Sequence, residues 1–200
     1  MDNREDIEDN IFYLLIEAVE VGDVFECSRL LVELKEGGDD FIDDIHAKDI
    51  YGRSPILWAS RVGHVGIIEL LLSNGANIHD RDKFGMSSII IASNRGYVQL
   101  VELLLSRGAS IHGKDRLGLS PIIMASMNNQ VDTVQLLLSK GANVHDTDKD
   151  GNKCLSLTTS NKVESALLKW PTTMGIIMLQ ELGIIFIIDS ESVIDLNQYI

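Results

Sequence analysis

The stretch Asp82 to Lys114, DKFGMSSIIIASNRGYVQLVELLLSRGASIHGK, has near-copies on both sides of it. Asp49, Asp82, Asp115 and Asp148 stand 33 residues apart, and Gly52, Gly85, Gly118 and Gly151 keep the same step. So do Ala59, Ala92 and Ala125, the leucine triplets beginning at Leu70, Leu103 and Leu136, and the glycines that follow them, Gly75, Gly108 and Gly141. A fixed period of this length, carried by several markers in one register, predicts a solenoid of stacked units.

One unit can be read from its physical chemistry. Asp82-Lys83-Phe84-Gly85 is a turn, in which the Asp carboxylate folds onto nearby backbone amides and Gly supplies a positive φ. Ser54-Pro55 and Ser120-Pro121 are helix starts: Ser is a favoured N-cap, and Pro at the first helical position gives up an amide that has no intrahelical partner anyway. A short helix is expected from Pro55 to about Val62, with small Ala59 letting a second helix approach and Gly63 ending it in a left-handed conformation. The second helix runs from about Val65 to Ser73, its apolar face made by Ile67, Ile68, Leu70, Leu71 and Leu72, and Gly75 closes it. A unit this small cannot bury its own apolar face, so it must stack on its neighbours.

The pattern resembles the ankyrin repeat. That family's threonine-proline-leucine-histidine helix start reads Ser54-Pro55-Ile56-Leu57 and Ser120-Pro121-Ile122-Ile123, and its glycine-histidine turn survives as Gly63-His64. The Leu-Leu-Leu-x-x-Gly-Ala end of the second helix reads well at Leu70 to Ala76, Leu103 to Ala109 and Leu136 to Ala142. Two departures stand out: Leu57, Ile90 and Ile123 occupy the place of the family's helix-start histidine, and Ser88 replaces the proline in the central unit. The resemblance implies an all-α ankyrin-repeat solenoid of helix-turn-helix units, joined by β-hairpin-like turns and closed by helical caps at both ends. Its parts would be an acidic capping repeat at 1–48, ankyrin repeats at 49–81, 82–114 and 115–147, a degenerate repeat at 148–170, and a C-terminal helical cap or tail at 171–200.

The ends depart from the period. Residues 7–36 read as two helices of a modified first unit, followed by an insertion, Gly37 to Phe41, before register returns at Ile45-His46. In the last unit Lys153-Cys154 replaces Ser-Pro and Thr158 replaces the alanine. Its second helix is expected over Val163 to Lys169, stopped by Trp170-Pro171 because the residue before proline is pushed out of helical geometry. Beyond it, Met174 to Ile188 is mostly apolar but broken by Gln180 and Glu181, whereas a membrane span needs about 20 nearly uninterrupted apolar residues. Thr172 to about Leu182 therefore reads as a helix covering the last repeat, and Ser190 as the N-cap of a final short helix ending near Tyr199.

Composition and charge narrow the function classes. The chain has 200 residues, 45% hydrophobic and 24% charged, with a formal net charge of −13. Residues 1–46 hold fifteen acidic residues against three basic ones, whereas 47–168 hold eleven against thirteen. The repeat body is thus nearly neutral and the acid sits at the N-terminal end, as a solvating cap or as a docking patch for a basic partner. A nucleic-acid footprint requires a basic stripe, so nucleic acid is not an expected partner. The first ten residues carry neither a basic flank nor an apolar run, so no secretory signal is expected. Two cysteines, Cys27 and Cys154, in unrelated positions point to buried thiols in a reducing compartment, cytoplasm or nucleus.

Catalytic chemistry has little to rest on. His46, His79, His112 and His145 recur at the 33-residue step, but stacked units lie about 8–10 Å apart, so these residues form a line and cannot converge on one tetrahedral metal with bonds of about 2 Å. The resemblance places them where the family usually carries Asn open to oxygen-dependent hydroxylation, which makes His79 and His112 hydroxylation candidates. There is no phosphate-binding glycine loop, zinc-ligand spacing or nucleophile elbow. An enzyme is not expected, nor is a cofactor or metal.

Surface is what remains. In ankyrin-like stacks partners usually meet the hairpin tips and the first-helix face, which together form a concave groove. On that reading the contact positions are Tyr51, Phe84 and Leu117 at the tips, Arg53, Met86 and Leu119 just after the turn glycines, and Trp58, Arg61, Asn94, Arg95 and Met127 on the first helices. Tyr, Phe, Trp, Met and Arg have the composition of interface anchors. The opposing reading is that the tip side chains pack on the neighbouring hairpin and stay covered, and that Trp58 is ordinary core. The leading expectation is a monomeric, non-catalytic module that binds a partner protein through this groove, without nucleic acid or membrane. The alternative is an adaptor whose repeats select a target while the 171–200 tail recruits a second protein.

Overall fold

The computed structural model describes residues 4–36, 45–168, 186–189 and 192–195. Helix α1 spans Arg4–Val21 and α2 Val24–Glu36, followed by α3 Pro55–Val62 and α4 Val65–Ser73, α5 Ser88–Arg95 and α6 Val98–Ser106, and α7 Pro121–Met127 and α8 Val131–Ser139. The degenerate unit contributes a single turn, α9 Cys154–Leu157, and a helix α10 over 161–168. The first helices α1, α3, α5, α7 and α9 stack in one row, and the second helices α2, α4, α6 and α8 stack in another.

Burial follows the repeat. Leu71, Leu104 and Leu137, the middle members of the three triplets, are fully buried, as are Ala59, Ala92 and Ala125. Burying an aliphatic side chain of this size stabilises by about 1.5–3 kcal/mol, so each added unit contributes several such increments to one continuous core. Leu57, Ile90 and Ile123 are fully buried as well, which accounts for the departure from histidine: an aliphatic side chain there packs in the core. Helices α3 and α5 end at Gly63 and Gly96, left-handed at φ 88° and 77°.

The turns are built alike four times. Asp82 Oδ1 accepts hydrogen bonds from the Phe84 and Met86 amides at 2.8 and 2.9 Å. Asp49 does the same for Tyr51 and Arg53, Asp115 for Leu117 and Leu119, and Asp148 for Asp150 and Asn152. Successive turns are then tied edge to edge: the Lys83, Arg116 and Lys149 amides donate to the Tyr51, Phe84 and Leu117 carbonyls at 2.9, 3.0 and 3.0 Å. The repeated aspartates therefore line one edge of the molecule. Side chains extend the ladder, Arg81 Nη1 donating to the Lys114 carbonyl and Lys114 Nζ to that of Thr147, both at 2.7 Å.

Three expectations need correction. Ser54 and Ser120, expected to cap their helices, occupy the extended N-cap position, but their side chains make no capping bond; both are buried, and their hydroxyls meet no polar partner. Within the stretch expected as a final helix from Ser190, residues 192–195 are extended. Phe186–Asp189 and Ser192–Asp195 instead pair as antiparallel strands β1 and β2, with Phe186 opposite Asp195; runs rich in Phe, Ile and Val suit a pleated ribbon. The helix in the degenerate unit starts two residues earlier than expected, at residue 161. The insertion from Gly37 to Phe41, the Trp170-Pro171 stop and the helix expected over Thr172 to Leu182 lie outside the described residues.

Candidate partner-binding groove

Because the turns are laddered edge to edge, the residues just before each turn glycine form a row. Tyr51, Phe84 and Leu117 are 46%, 58% and 65% exposed. Their side chains are therefore left largely uncovered by the neighbouring hairpins.

Behind the first tip the side chains are organised around Asp49. Its Oδ2 accepts from Trp58 Nε1 at 3.2 Å, which turns the indole toward the hairpin. Trp58 is half-buried and packs against the core edge, so it is neither ordinary core nor a fully exposed anchor. The Arg53 guanidinium lies 4.6 Å from the Tyr51 ring centroid and 5.2 Å from that of Trp58, and Arg61 lies 5.5 Å from the Trp58 ring. At these distances the cations are attracted to the ring faces. Burial holds the Arg61 guanidinium below the usual arginine value; the nearby charges of Arg53 and Arg95 add to this, and Glu20 and Asp49 oppose it.

Between the tips and the first helices lies a groove of about 390 Å³. Of the positions named from sequence it brings together Arg53, Arg61, Phe84, Met86, Asn94, Arg95, Leu117 and Leu119. Tyr51, Trp58 and Met127 lie outside it. Leu119 is only 8% exposed and belongs to the hydrophobic core; it forms the groove's floor and is not a free anchor. Asn94 is engaged by the Asn128 side-chain amide. Ile91 and Met124, which the 33-residue step places with Trp58 among the variable first-helix positions, also line it, and so do Asp82 and Asp115, which were missed. The two aspartates read from sequence only as turn formers.

His79, His112 and His145 are exposed and His46 is half-buried, all away from the groove lining. The Asn77 and Asn143 side chains accept from the His79 and His145 amides at 3.0 and 2.9 Å, so the backbone here is set by an Asx-type turn. Among the described residues no group of three or more His, Cys, Asp or Glu could hold a metal ion, and no helix is long and apolar enough to cross a membrane. Cys27 and Cys154 are buried, and Cys154 Sγ donates to the Val144 carbonyl at 2.9 Å.

Residues 75–148 match the family model described as Ankyrin repeats (3 copies), and residues 51–83 match that of the Ankyrin repeat. No curated protein matches the chain. Ankyrin repeats serve generally as protein–protein interaction modules and are generally non-enzymatic. With the family matches covering the three regular units, and the row of first helices continuing on both sides of them, the chain belongs to the ankyrin repeat proteins.

Proposed function

We propose that the groove between hairpin tips and first helices is the docking face for a partner protein, and that the chain works by binding alone, without catalysis. The observation that carries this reading is the exposed row Tyr51, Phe84 and Leu117 beside the groove. Large apolar side chains held out at turn tips lose water only when something covers them, and the backbone ladder keeps them in place before a partner arrives, so little ordering is left to be done on binding. Tyr51→Ala combined with Phe84→Ala should abolish capture of the partner while the melting temperature hardly moves, since neither side chain is in the core. Capture that survives the double substitution would move the binding site elsewhere.

A second reading adds an adaptor role. The strands β1 and β2 stand outside the 33-residue pattern and pair with each other, which favours a tail with its own task. Deleting 171–200 should then leave groove binding intact and lose a second partner. Aggregation of the shortened chain would make the tail a cap and nothing more.

A further inference from the structure

Three guanidinium groups share the groove. Arg53, Arg61 and Arg95 all line it, and among the described residues none of them takes part in an ion pair. Arg61 is half-buried. Gathering like charges while taking water away from one of them raises the free energy of the unbound protein, and an anion set among them lowers it. Arginine is also suited to grip a carboxylate with two parallel bonds. Beside them the groove has an apolar part, made by Phe84, Met86, Leu117 and Met124, and two carboxylates, Asp82 and Asp115.

Resting on the groove being the docking face, we propose that its occupant is an extended segment of a partner protein carrying an Asp or Glu side chain next to a bulky apolar one. The carboxylate meets the arginines, and the apolar side chain lies against Phe84 and Leu117. This inverts what the chain's net charge of −13 would suggest, namely a basic partner. The field that matters at contact is local, because charges more than about 8 Å away are largely screened at physiological salt. Asp82 and Asp115 share the lining, each with one oxygen held by two turn amides. They favour a singly charged carboxylate over a phosphate, which carries close to two charges.

The test is selection from a phage-displayed library of random peptides, about seven residues long, on the full chain. Three proteins are compared: wild type, Arg61→Gln/Arg95→Gln and Phe84→Ala/Leu117→Ala. Wild type is expected to enrich peptides with Asp or Glu adjacent to Phe, Leu, Ile or Met. The double arginine variant should bind the best of these peptides roughly ten- to a hundred-fold more weakly, as loss of a charge-assisted bond implies. It should also lose the preference for acid while keeping the preference for apolar residues. Enrichment of purely apolar or basic peptides that still depend on Phe84 and Leu117 would overturn the acidic occupant and leave the docking face standing. Enrichment that ignores Phe84 and Leu117, or none at all, would overturn both. A phosphoserine replacing the selected acid and binding tenfold more tightly would overturn the choice of carboxylate.

Discussion

Gly63 and Gly75 have nearly the same backbone, at φ +88° and +95°, yet they should respond differently to the same substitution. A β-carbon built on Gly63 falls 2.7, 2.8 and 2.9 Å from the Cε2, Cδ2 and Cζ atoms of Tyr97, whereas one on Gly75 meets nothing within 4 Å. Left-handed geometry costs an L-residue about 1–2 kcal/mol, and that cost is common to both sites. At Gly63 the Tyr97 ring must also retreat by roughly 0.7 Å to regain ordinary carbon contact. That ring is packed against the core in the next repeat, and overpacking of this kind costs about 1–3 kcal/mol. Gly63→Ala should therefore destabilise by about 1–3 kcal/mol more than Gly75→Ala. Urea unfolding followed by circular dichroism measures the difference directly, with comparable slopes required for the two variants. Adding Tyr97→Ala removes the obstacle, so Gly63→Ala should then cost what Gly75→Ala costs. Equal losses for the two glycine variants in the presence of Tyr97 would refute the claim that repeat spacing here is set by an aromatic ring seated on a bare glycine.

Asp82→Ala removes two turn bonds at the central tip and should lower stability by about 1–3 kcal/mol, read from the same urea titration; no change would mean the ladder holds the turn without its aspartate. The Asn152 side chain, donating to Asp148 Oδ2 at 2.9 Å, keeps that carboxyl below its usual range. A depressed folded-state value contributes stability above the ordinary carboxylate range that is lost as pH falls through the depressed value, so Asn152→Ala should move the acid-unfolding midpoint to higher pH, as circular dichroism against pH will show. Burial pushes the Cys27 thiol up to about 11, with Asp23 and Glu26 adding to it. At pH 8 in a Cys154→Ala background it should react with Ellman's reagent at least about tenfold more slowly than a free thiol, because the thiolate is the nucleophile and a buried sulfur is hard to reach. Rapid labelling of the folded protein would contradict that burial.

The repeat was legible because each element is decided locally. An Asp carboxylate bonding amides two and four residues on, a Pro that begins a helix and a Gly that ends one need no knowledge of distant chain, and α3 and α4 begin and end where their residues say they should. The 33-residue period then dictated stacking, since Leu71, Leu104 and Leu137 have no other way to leave water. The tail was not legible in the same way: Phe186 to Asp195 carries no period, and whether a short apolar run pairs as strands or coils as a helix depends on what lies beside it. The groove shows the same division. Sequence by itself determined which side chains sit at tips and on first helices, because register fixes those positions. Only the tertiary structure decided that Tyr51, Phe84 and Leu117 stay uncovered, that Leu119 sinks into the floor, that Trp58 is turned aside by Asp49, and that arginines from neighbouring repeats converge. Exposure and charge proximity arise between units, from how far one repeat is displaced and rotated on the next, and no single unit's sequence carries that quantity.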